Sequence, residues 1–286
     1  AASDVYKRQV DITERVEAQN RIEELASKLS KYLSPQVYRS IFSGQKNVQI
    51  EANRKKLTVF FSDIKDFTEL TDRLEPEVLS SLLNSYLNEM SKIALKYGGT
   101  IDKFVGDAIL IFFGDPETNG EKADATSCVL MALEMRERMK FMRQIWEDEG
   151  ISKPLNIRIG INTGYCNVGN FGSEDRLDYT IIGGEVNLAS RLESNASVGQ
   201  ILVSHETYSL IKNSITCEER EEINVKGLAH KVRTYQVIDK KEKNEKGVTE
   251  LKDNYEGFSL SIDLDVSRKA EVIASLKNAL AKIQKN

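Results

Sequence analysis

Two aspartates, Asp63 and Asp107, are the residues of this 286-residue chain whose positions most directly suggest chemistry. Asp63 follows an apolar, β-rich run over residues 57–61, and Asp107 lies between two more strand-like runs over residues 99–104 and 108–113. If the latter runs form a tight hairpin beside the first strand, the two carboxylates meet at one edge of a sheet. Neighbouring carboxylates stay ionised at low cost only with a cation between them, and Mg²⁺ is usually held by one or two carboxylates plus substrate phosphates. The alternative is that both aspartates merely cap turns.

The segment that follows Asp63, residues 64–68, favours a phosphate ligand beside such a metal. We expect it to lead into a helix whose free backbone N–H groups point back toward Asp63. The N-terminus of a helix attracts anions through these N–H groups and through the helix dipole. The stretch as a whole therefore predicts a site for a nucleoside triphosphate and its metal.

Asn187 and Arg191 form a second candidate group. They are four residues apart on a helix predicted over residues 185–194, so they share one helix face. An amide beside a guanidinium suits a ribose and a phosphate. The alternative is an ordinary solvated helix face, and without further context that interpretation is the better one.

The elements that position these residues follow a β-α-β-β-α-β order from residue 57 to residue 165. Long helices are predicted over residues 76–97 and 121–149, and a strand over residues 155–162 is expected to pair with residues 165–170 through a turn at Thr163 and Gly164. Further helices and strands continue to residue 238. The pattern predicts an α+β fold with a ferredoxin-like core and additional C-terminal elements.

The N-terminal part of the chain is predicted to connect a sensor domain to the rest of the chain. Residues 1–9 have no usable periodicity and resemble the translated read-through of a sequencing-library adaptor, so we expect an artefactual start. Residues 10–15 are similar to the last strand of a PAS sensor domain, which implies a sensor domain upstream in the same chain. Residues 10–43 would then be the end of that sensor and a helical linker, and residues 44–53 a polar connection.

The helix predicted over residues 14–33 carries apolar residues at heptad spacing. They are Ala18, Ile22, Leu25, Leu29 and Tyr32. We favour a parallel dimer through this N-terminal helix over packing of the helix on its own domain. At the other end, residues 241–286 read as a charged linker to about residue 254, followed by a strand and an amphipathic helix without an assigned role.

Composition narrows the class of protein. The formal net charge of −4 gives no general basic surface for nucleic acid. The longest apolar run, residues 108–113, is far too short to span a bilayer. Three widely spaced cysteines suggest a reducing compartment without a disulfide framework, so we expect a cytoplasmic protein.

Residues 54–240 resemble the catalytic domain of class III nucleotidyl cyclases. The motifs that carry the resemblance are FSDI at 61–64, FT at 67–68, DKFVGDA at 102–108, YTIIG at 179–183 and VNLASRLE at 186–193. The resemblance implies an adenylate cyclase that converts ATP to 3′,5′-cyclic AMP and pyrophosphate. It implies two Mg²⁺ or Mn²⁺ ions on Asp63, Asp107 and the backbone carbonyl of Ile64, which activate the ribose 3′-hydroxyl and neutralise the phosphates.

The resemblance also implies roles for residues around the nucleotide. Substrate binding is expected of Phe67, Thr68, Lys103, Thr180 and Lys226, and catalytic roles of Asn187 and Arg191. Lys103 reads adenine where guanylate cyclases usually place glutamate, and Thr180 stands where many relatives have aspartate. In this family the active site forms at a head-to-tail dimer interface, so a homodimer would contain two equivalent sites.

Two departures from the family pattern and two alternative functions are relevant. Gly183, Gly184 and Glu185 replace the more usual Gly-Asp or Gly-Asn, and Tyr165 stands where some animal cyclases carry a phosphate-binding arginine.

The alternatives are a guanylate cyclase and a dimeric nucleotide-binding module without turnover. A diguanylate cyclase shares the core topology but has a different acidic hairpin motif.

Overall fold

The computed structural model describes residues 2–43, 50–148, 150–151, 155–173, 175–224, 231–241, 250–255, 258–263 and 269–283. The chain divides into two compact units, Ala1–Lys240 and Lys241–Asn286. The first unit has the predicted α+β fold. Its elements, in chain order, are α1 (Ala2–Leu29), a 3₁₀ turn (Ser30–Tyr32), α2 (Pro35–Phe42), β1 (Ala52–Ile64), α3 (Phe67–Thr71), α4 (Pro76–Lys96), β2 (Thr100–Val105), β3 (Ala108–Phe113), α5 (Glu121–Asp148), β4 (Ile157–Gly172), β5 (Leu177–Ile182), α6 (Gly184–Asn195), β6 (Ile201–Ser204), α7 (His205–Ile211), β7 (Ile215–Ile223) and β8 (Val232–Lys240).

The strands form one mixed sheet in the order β2-β3-β1-β4-β6-β8-β7, and β5 pairs with β4 beside this path. Its first four strands, with α4 and α5 as crossovers, are the predicted β-α-β-β-α-β core. Side chains of β1 alternate between the two faces. Phe60 packs in the main core with Tyr86 of α4 and Met131 of α5, whereas Val59 packs on the opposite face with Ala189 of α6. Helix α6 therefore lies across the sheet from the two long helices.

The turn predicted at Thr163 and Gly164 is wrong, because β4 is one continuous strand. β1 pairs with β4 along its whole length, from Ala52 opposite Gly169 to Ile64 opposite Ile157. The glycines of β4 allow close approach rather than chain reversal. A Cβ atom on Gly160 would lie 2.2 Å from the carbonyl oxygen of Ala189 in α6.

Helix α1 differs from the prediction at its beginning. It is helical from Ala2 onward, so the segment 10–15, which we expected to end a strand, belongs to the helix. A helix satisfies its backbone N–H and C=O groups within the segment, whereas a strand would need a neighbour. The heptad residues are exposed within the chain, with Ile22 at 64% and Tyr32, in the 3₁₀ turn after α1, at 87%.

The second unit contains β9 (Glu250–Tyr255), β10 (Phe258–Asp263) and α8 (Lys269–Ile283). β9 and β10 form an antiparallel two-stranded sheet. The predicted linker is therefore too long at its C-terminal end, since residues 250–254 belong to a strand. The predicted strand and helix that follow it are present.

The structure also describes the lengths of the helices and the surroundings of the cysteines. Within the described ranges, no helix combines the length and the apolar character that a bilayer crossing needs. The cysteines are Cys128 and Cys166, both buried, and the half-buried Cys217; no disulfide joins them.

Candidate active site

The hairpin of β2 and β3 brings Asp107 to the end of β1. Val105 pairs with Ala108, which leaves Gly106 and Asp107 as a two-residue turn. Gly106 has a φ of 65°, the positive value that the first central residue of a type II′ turn requires. The backbone N–H of Ile64 donates a hydrogen bond to Oδ2 of Asp107 at 3.1 Å. Asp63 and Asp107 are therefore neighbours, as the strand pattern predicts.

The negative charges of the two carboxylates repel each other. Burial, together with the adjacent Asp63 carboxylate, raises the pKa of Asp107 to about 6. A cation between two such groups removes this cost. Among the described residues, no cluster of three or more His, Cys, Asp or Glu side chains is arranged to hold a metal. Two adjacent carboxylates fit a divalent ion that completes its coordination with water and substrate phosphates, which is how Mg²⁺ is commonly bound.

Arg158 contacts the candidate metal ligand Asp63, and the sequence analysis did not single it out. It lies on β4 directly opposite Asp63. Its Nη2 atom is 3.1 Å from Oδ2 of Asp63 and 2.9 Å from Oε1 of Glu193 in α6. Burial raises the pKa of Glu193 to about 7, while the Arg158 charge acts in the opposite direction. The guanidinium thus links the aspartate pair to α6.

Asn187 and Arg191 lie on one exposed face of α6, as the spacing predicts. Glu193, whose side chain is 4% exposed, lies on the face that packs against β4 and contacts Arg158. At 3.6 residues per turn, Arg191 is rotated by about 200° from Glu193 around the helix axis. Arg191 therefore points away from the aspartate pair of its own chain.

The two predicted base-reading residues lie close together on β2 and β5, two strands that do not pair with each other. Lys103 is exposed on β2, and Thr180 is buried on β5. Both contact Asp102, which accepts a hydrogen bond from Oγ1 of Thr180 at 2.7 Å. Beside them is a cleft of about 230 Å³. Its lining includes Lys103 and, from the N-terminal segment, Tyr32 and Val37.

The remaining predicted site residues offer fewer groups to a ligand. Ile64 is buried, so it offers only its backbone to a ligand. Phe67 packs partly against the main core and Thr68 is exposed, both in the first turn of α3. That helix has only five residues, which makes it a weaker anion site than we expected. Lys226 lies outside the described residues.

This combination of fold and site belongs to a known enzyme family. Residues 48–239 match the family described as the adenylate and guanylate cyclase catalytic domain. The chain is a member of that family, and its enzymatic class is that of a cyclase, a phosphorus–oxygen lyase. Catalytic domains of this family bind a nucleotide substrate, depend on divalent metal ions and dimerise.

Solved structures of both specificities resemble this chain. The crystal structure of the adenylyl cyclase CyaB from P. aeruginosa has 65% sequence identity and a TM-score of 0.65, and the match covers 66% of this chain and 97% of that one. The guanylyl cyclase Cya2 has 34% identity and a TM-score of 0.64, over 68% of this chain and 98% of that one. Fold similarity therefore does not distinguish ATP from GTP.

Curated relatives are much longer proteins. Adenylate cyclase 1 of Rhizobium meliloti is 30% identical over 188 residues, which are 65% of this chain and 28% of that protein. The terminal-differentiation specific adenylate cyclase of Dictyostelium discoideum is 34% identical over 243 residues, or 82% of this chain and 11% of that protein. The chain thus spans less than a third of either relative.

Proposed function

We propose that this chain is an adenylate cyclase, which converts ATP to 3′,5′-cyclic AMP and pyrophosphate at a homodimer interface. The observation that carries the choice of ATP is the adjacency of Lys103 and Thr180 around a shared carboxylate. Lys103 gives the base pocket a cationic donor at the position where the resemblance implies glutamate in guanylate cyclases. The 65% identity to the adenylyl cyclase CyaB supports the same choice.

Asp63, Asp107 and the carbonyl oxygen of Ile64 are the proposed ligands of the divalent ions, Mg²⁺ or Mn²⁺. When bound, such ions acidify the ribose 3′-hydroxyl and neutralise phosphate charge. The support from this chain is the carboxylate pair itself, in which the pKa of Asp107 is raised to about 6 by burial and by Asp63. Arg158 holds the Asp63 carboxylate in place at 3.1 Å.

The reacting groups come from two chains in this proposal. Arg191 of the partner subunit neutralises the charge that develops on the α-phosphoryl oxygens, and Asn187 of the partner subunit orients the ribose. Phe67 and Thr68 border the phosphates, and Lys226 contacts the triphosphate. Attack of the ribose 3′-oxygen on the α-phosphorus expels pyrophosphate and requires no side-chain base.

The direct test is product formation by the purified chain from ATP and from GTP, with Mn²⁺ and with Mg²⁺, over a range of protein concentrations. We expect cyclic AMP from ATP, rising faster than linearly at low protein concentration because only the dimer has a complete site. Preferential formation of cyclic GMP from GTP would contradict the proposed preference for ATP. Metal-dependent binding of ATP without any product would instead favour a binding module.

We further propose that α1 pairs with the same helix of the partner and couples the catalytic domain to a sensor domain upstream. The support is the exposed heptad face of α1 and the place of Tyr32 in the cleft beside Lys103. A change in the register of α1 would then move one half-site against the other.

Insertion of one alanine after Ser27 tests this coupling. The insertion rotates Leu29 and Tyr32 by about 100° relative to the preceding seam. We expect basal activity to change by at least about fivefold, since a misplacement of about 1 Å can cost on the order of a hundredfold in rate. Ser27→Ala, at the same exposed position without a register change, is the control. Equal activities of the insertion variant and the control would mean that the helix is a passive tether.

A further inference from the structure

One buried carboxylate connects the two side chains that read the base. The side chain of Asp102 is only 1% exposed. Its Oδ2 atom accepts hydrogen bonds from Oγ1 of Thr180 at 2.7 Å and from the backbone N–H of Ile181 at 3.2 Å. Its Oδ1 atom is 3.3 Å from Nζ of Lys103. Asp102 therefore touches both base-reading residues at once.

An irregularity in β2 makes this double contact possible. The pairing of β2 with β3 shifts register between Ile101 and Lys103, so Asp102 is the extra residue of a bulge. In a regular strand, adjacent side chains point to opposite faces. A bulge redirects one of them, which allows the consecutive residues Asp102 and Lys103 to interact.

The hydrogen bonds define the polarity of the Thr180 hydroxyl. A backbone N–H can only donate, so Oδ2 of Asp102 acts as an acceptor toward Ile181. Burial raises the pKa of Asp102, while its hydrogen bonds to Thr180 and Ile181 and the charge of Lys103 favour the ionised form. Thr180 has one hydroxyl proton, and the bond to Asp102 uses it. Toward a bound base, Thr180 therefore presents only lone pairs, whereas the Lys103 ammonium presents only donors.

We propose that Asp102 is a specificity-determining residue, which sets the purine pocket for adenine by holding the Thr180 hydroxyl proton and anchoring the Lys103 ammonium. This inference rests on the proposed function. With Thr180 toward position 6 of the base and Lys103 toward N1, the pocket matches the 6-amino donor and the N1 acceptor of adenine. Guanine reverses both groups, since it has an acceptor at O6 and a proton on N1. Asp102 does not touch the base and acts through its two neighbours.

The test compares Asp102→Ala with wild type for the ratio of kcat/KM values with ATP and GTP. The substitution frees the Thr180 proton, which can then donate to O6 of guanine, and releases Lys103. We expect the ATP preference to fall by about tenfold to a hundredfold, the range for loss of a hydrogen bond to a charged group. Asp175→Ala is the matched control, because Asp175 is an exposed carboxylate before β5 that lies outside the lining of this cleft. It should leave the ratio unchanged.

Two further measurements separate specificity from a merely structural role. Melting temperatures show which variants fold, and affinities for non-cleavable α,β-methylene analogues of ATP and GTP report the preference without turnover. If Asp102→Ala does not fold, Asp102→Asn decides the question. The side-chain oxygen of the asparagine can still accept the hydrogen bond from the N–H of Ile181, but its NH₂ group then faces the Lys103 ammonium. We therefore expect the preference for ATP over GTP to fall at least about threefold.

The outcomes for the inference and for the proposed function are distinct. Folded variants whose rates or affinities fall equally for both nucleotides, with the ratio kept within twofold of wild type, would overturn the role of Asp102. Absence of product from either nucleotide in the wild type would overturn the cyclase proposal. In that case the analogue affinities still decide whether Asp102 sets the base preference.

Discussion

An Asp107→Asn variant is expected to lose cyclic nucleotide production by about a thousandfold or more, and at the same time to become more stable than the wild type in the absence of metal. The loss follows because the variant removes one of the two proposed carboxylate ligands. The gain follows because it also removes a charge that Asp63 and burial disfavour. Asparagine keeps an oxygen that can accept the hydrogen bond from the N–H of Ile64.

The pH dependence of the stability gain follows from the direction of the pKa shift. The pKa of Asp107 rises from its ordinary value of 3.8 to about 6 in the folded protein, so the folded state binds this proton more tightly than the unfolded chain. The ionised Asp107 carboxylate therefore lowers the free energy of unfolding. This loss is absent below the ordinary pKa of 3.8, grows between pH 3.8 and about 6, and is complete above about pH 6. Water screens part of the repulsion at this half-buried site. We expect a gain of about 1 kcal/mol at pH 7.5, or about 2–4 °C in melting temperature.

Thermal melting with and without Mn²⁺ measures both halves of this prediction. Metal should raise the melting temperature of the wild type and have little effect on Asp107→Asn, and the advantage of the variant should shrink as the pH falls toward 4. Asp72→Asn, which removes an exposed carboxylate just after α3, is the control for a general charge effect. An Asp107→Asn protein that melts like the wild type and is still stabilised by Mn²⁺ would remove Asp107 from the metal site.

The adjacency of Asp63 and Asp107 was predictable because it depends on short-range pattern. Apolar runs mark the strands, and the two residues between β2 and β3 can only be a tight turn. Asn187 and Arg191 were predictable for the same reason, since spacing by four residues places them on one helix face. The family motifs added roles to residues whose places the pattern already indicated.

Other features depend on contacts that local pattern does not encode. Thr163 and Gly164 look like a turn, but both lie within β4, opposite Thr58 and Leu57 of β1. A glycine needed for close packing and a glycine needed for a turn look alike in one sequence. The bridge from Asp63 through Arg158 to Glu193 joins residues far apart in the chain, and it requires the register of β1 on β4 and the seating of α6.

That bridge leads to the second large prediction, which is recovery of activity when two inactive variants are mixed. Arg158 and Glu193 hold α6 with Arg191 directed away from the aspartates of the same chain. In the proposed homodimer, a complete site takes Asp63 and Asp107 from one chain and Arg191 from its partner. Asp107→Asn and Arg191→Ala should each be nearly inactive as homodimers, but a mixed dimer of the two contains one intact site.

Equimolar mixing of the two variants, followed by subunit exchange, is expected to restore about a quarter of wild-type activity, because half of the dimers are mixed and each has one working site of two. The matched control mixes Asp63→Asn with Asp107→Asn, whose lesions both fall on the aspartate side, so every site stays defective and no recovery is expected. Differently tagged chains show by co-purification that mixed dimers form in both experiments. The shared site would be contradicted if mixed dimers of Asp107→Asn and Arg191→Ala regained no activity, or if mixed dimers of Asp63→Asn and Asp107→Asn did regain it. Recovery in the first mixture alone would place the aspartates and the arginine of one active site on different chains, because a site built within one chain cannot be repaired by exchange of subunits.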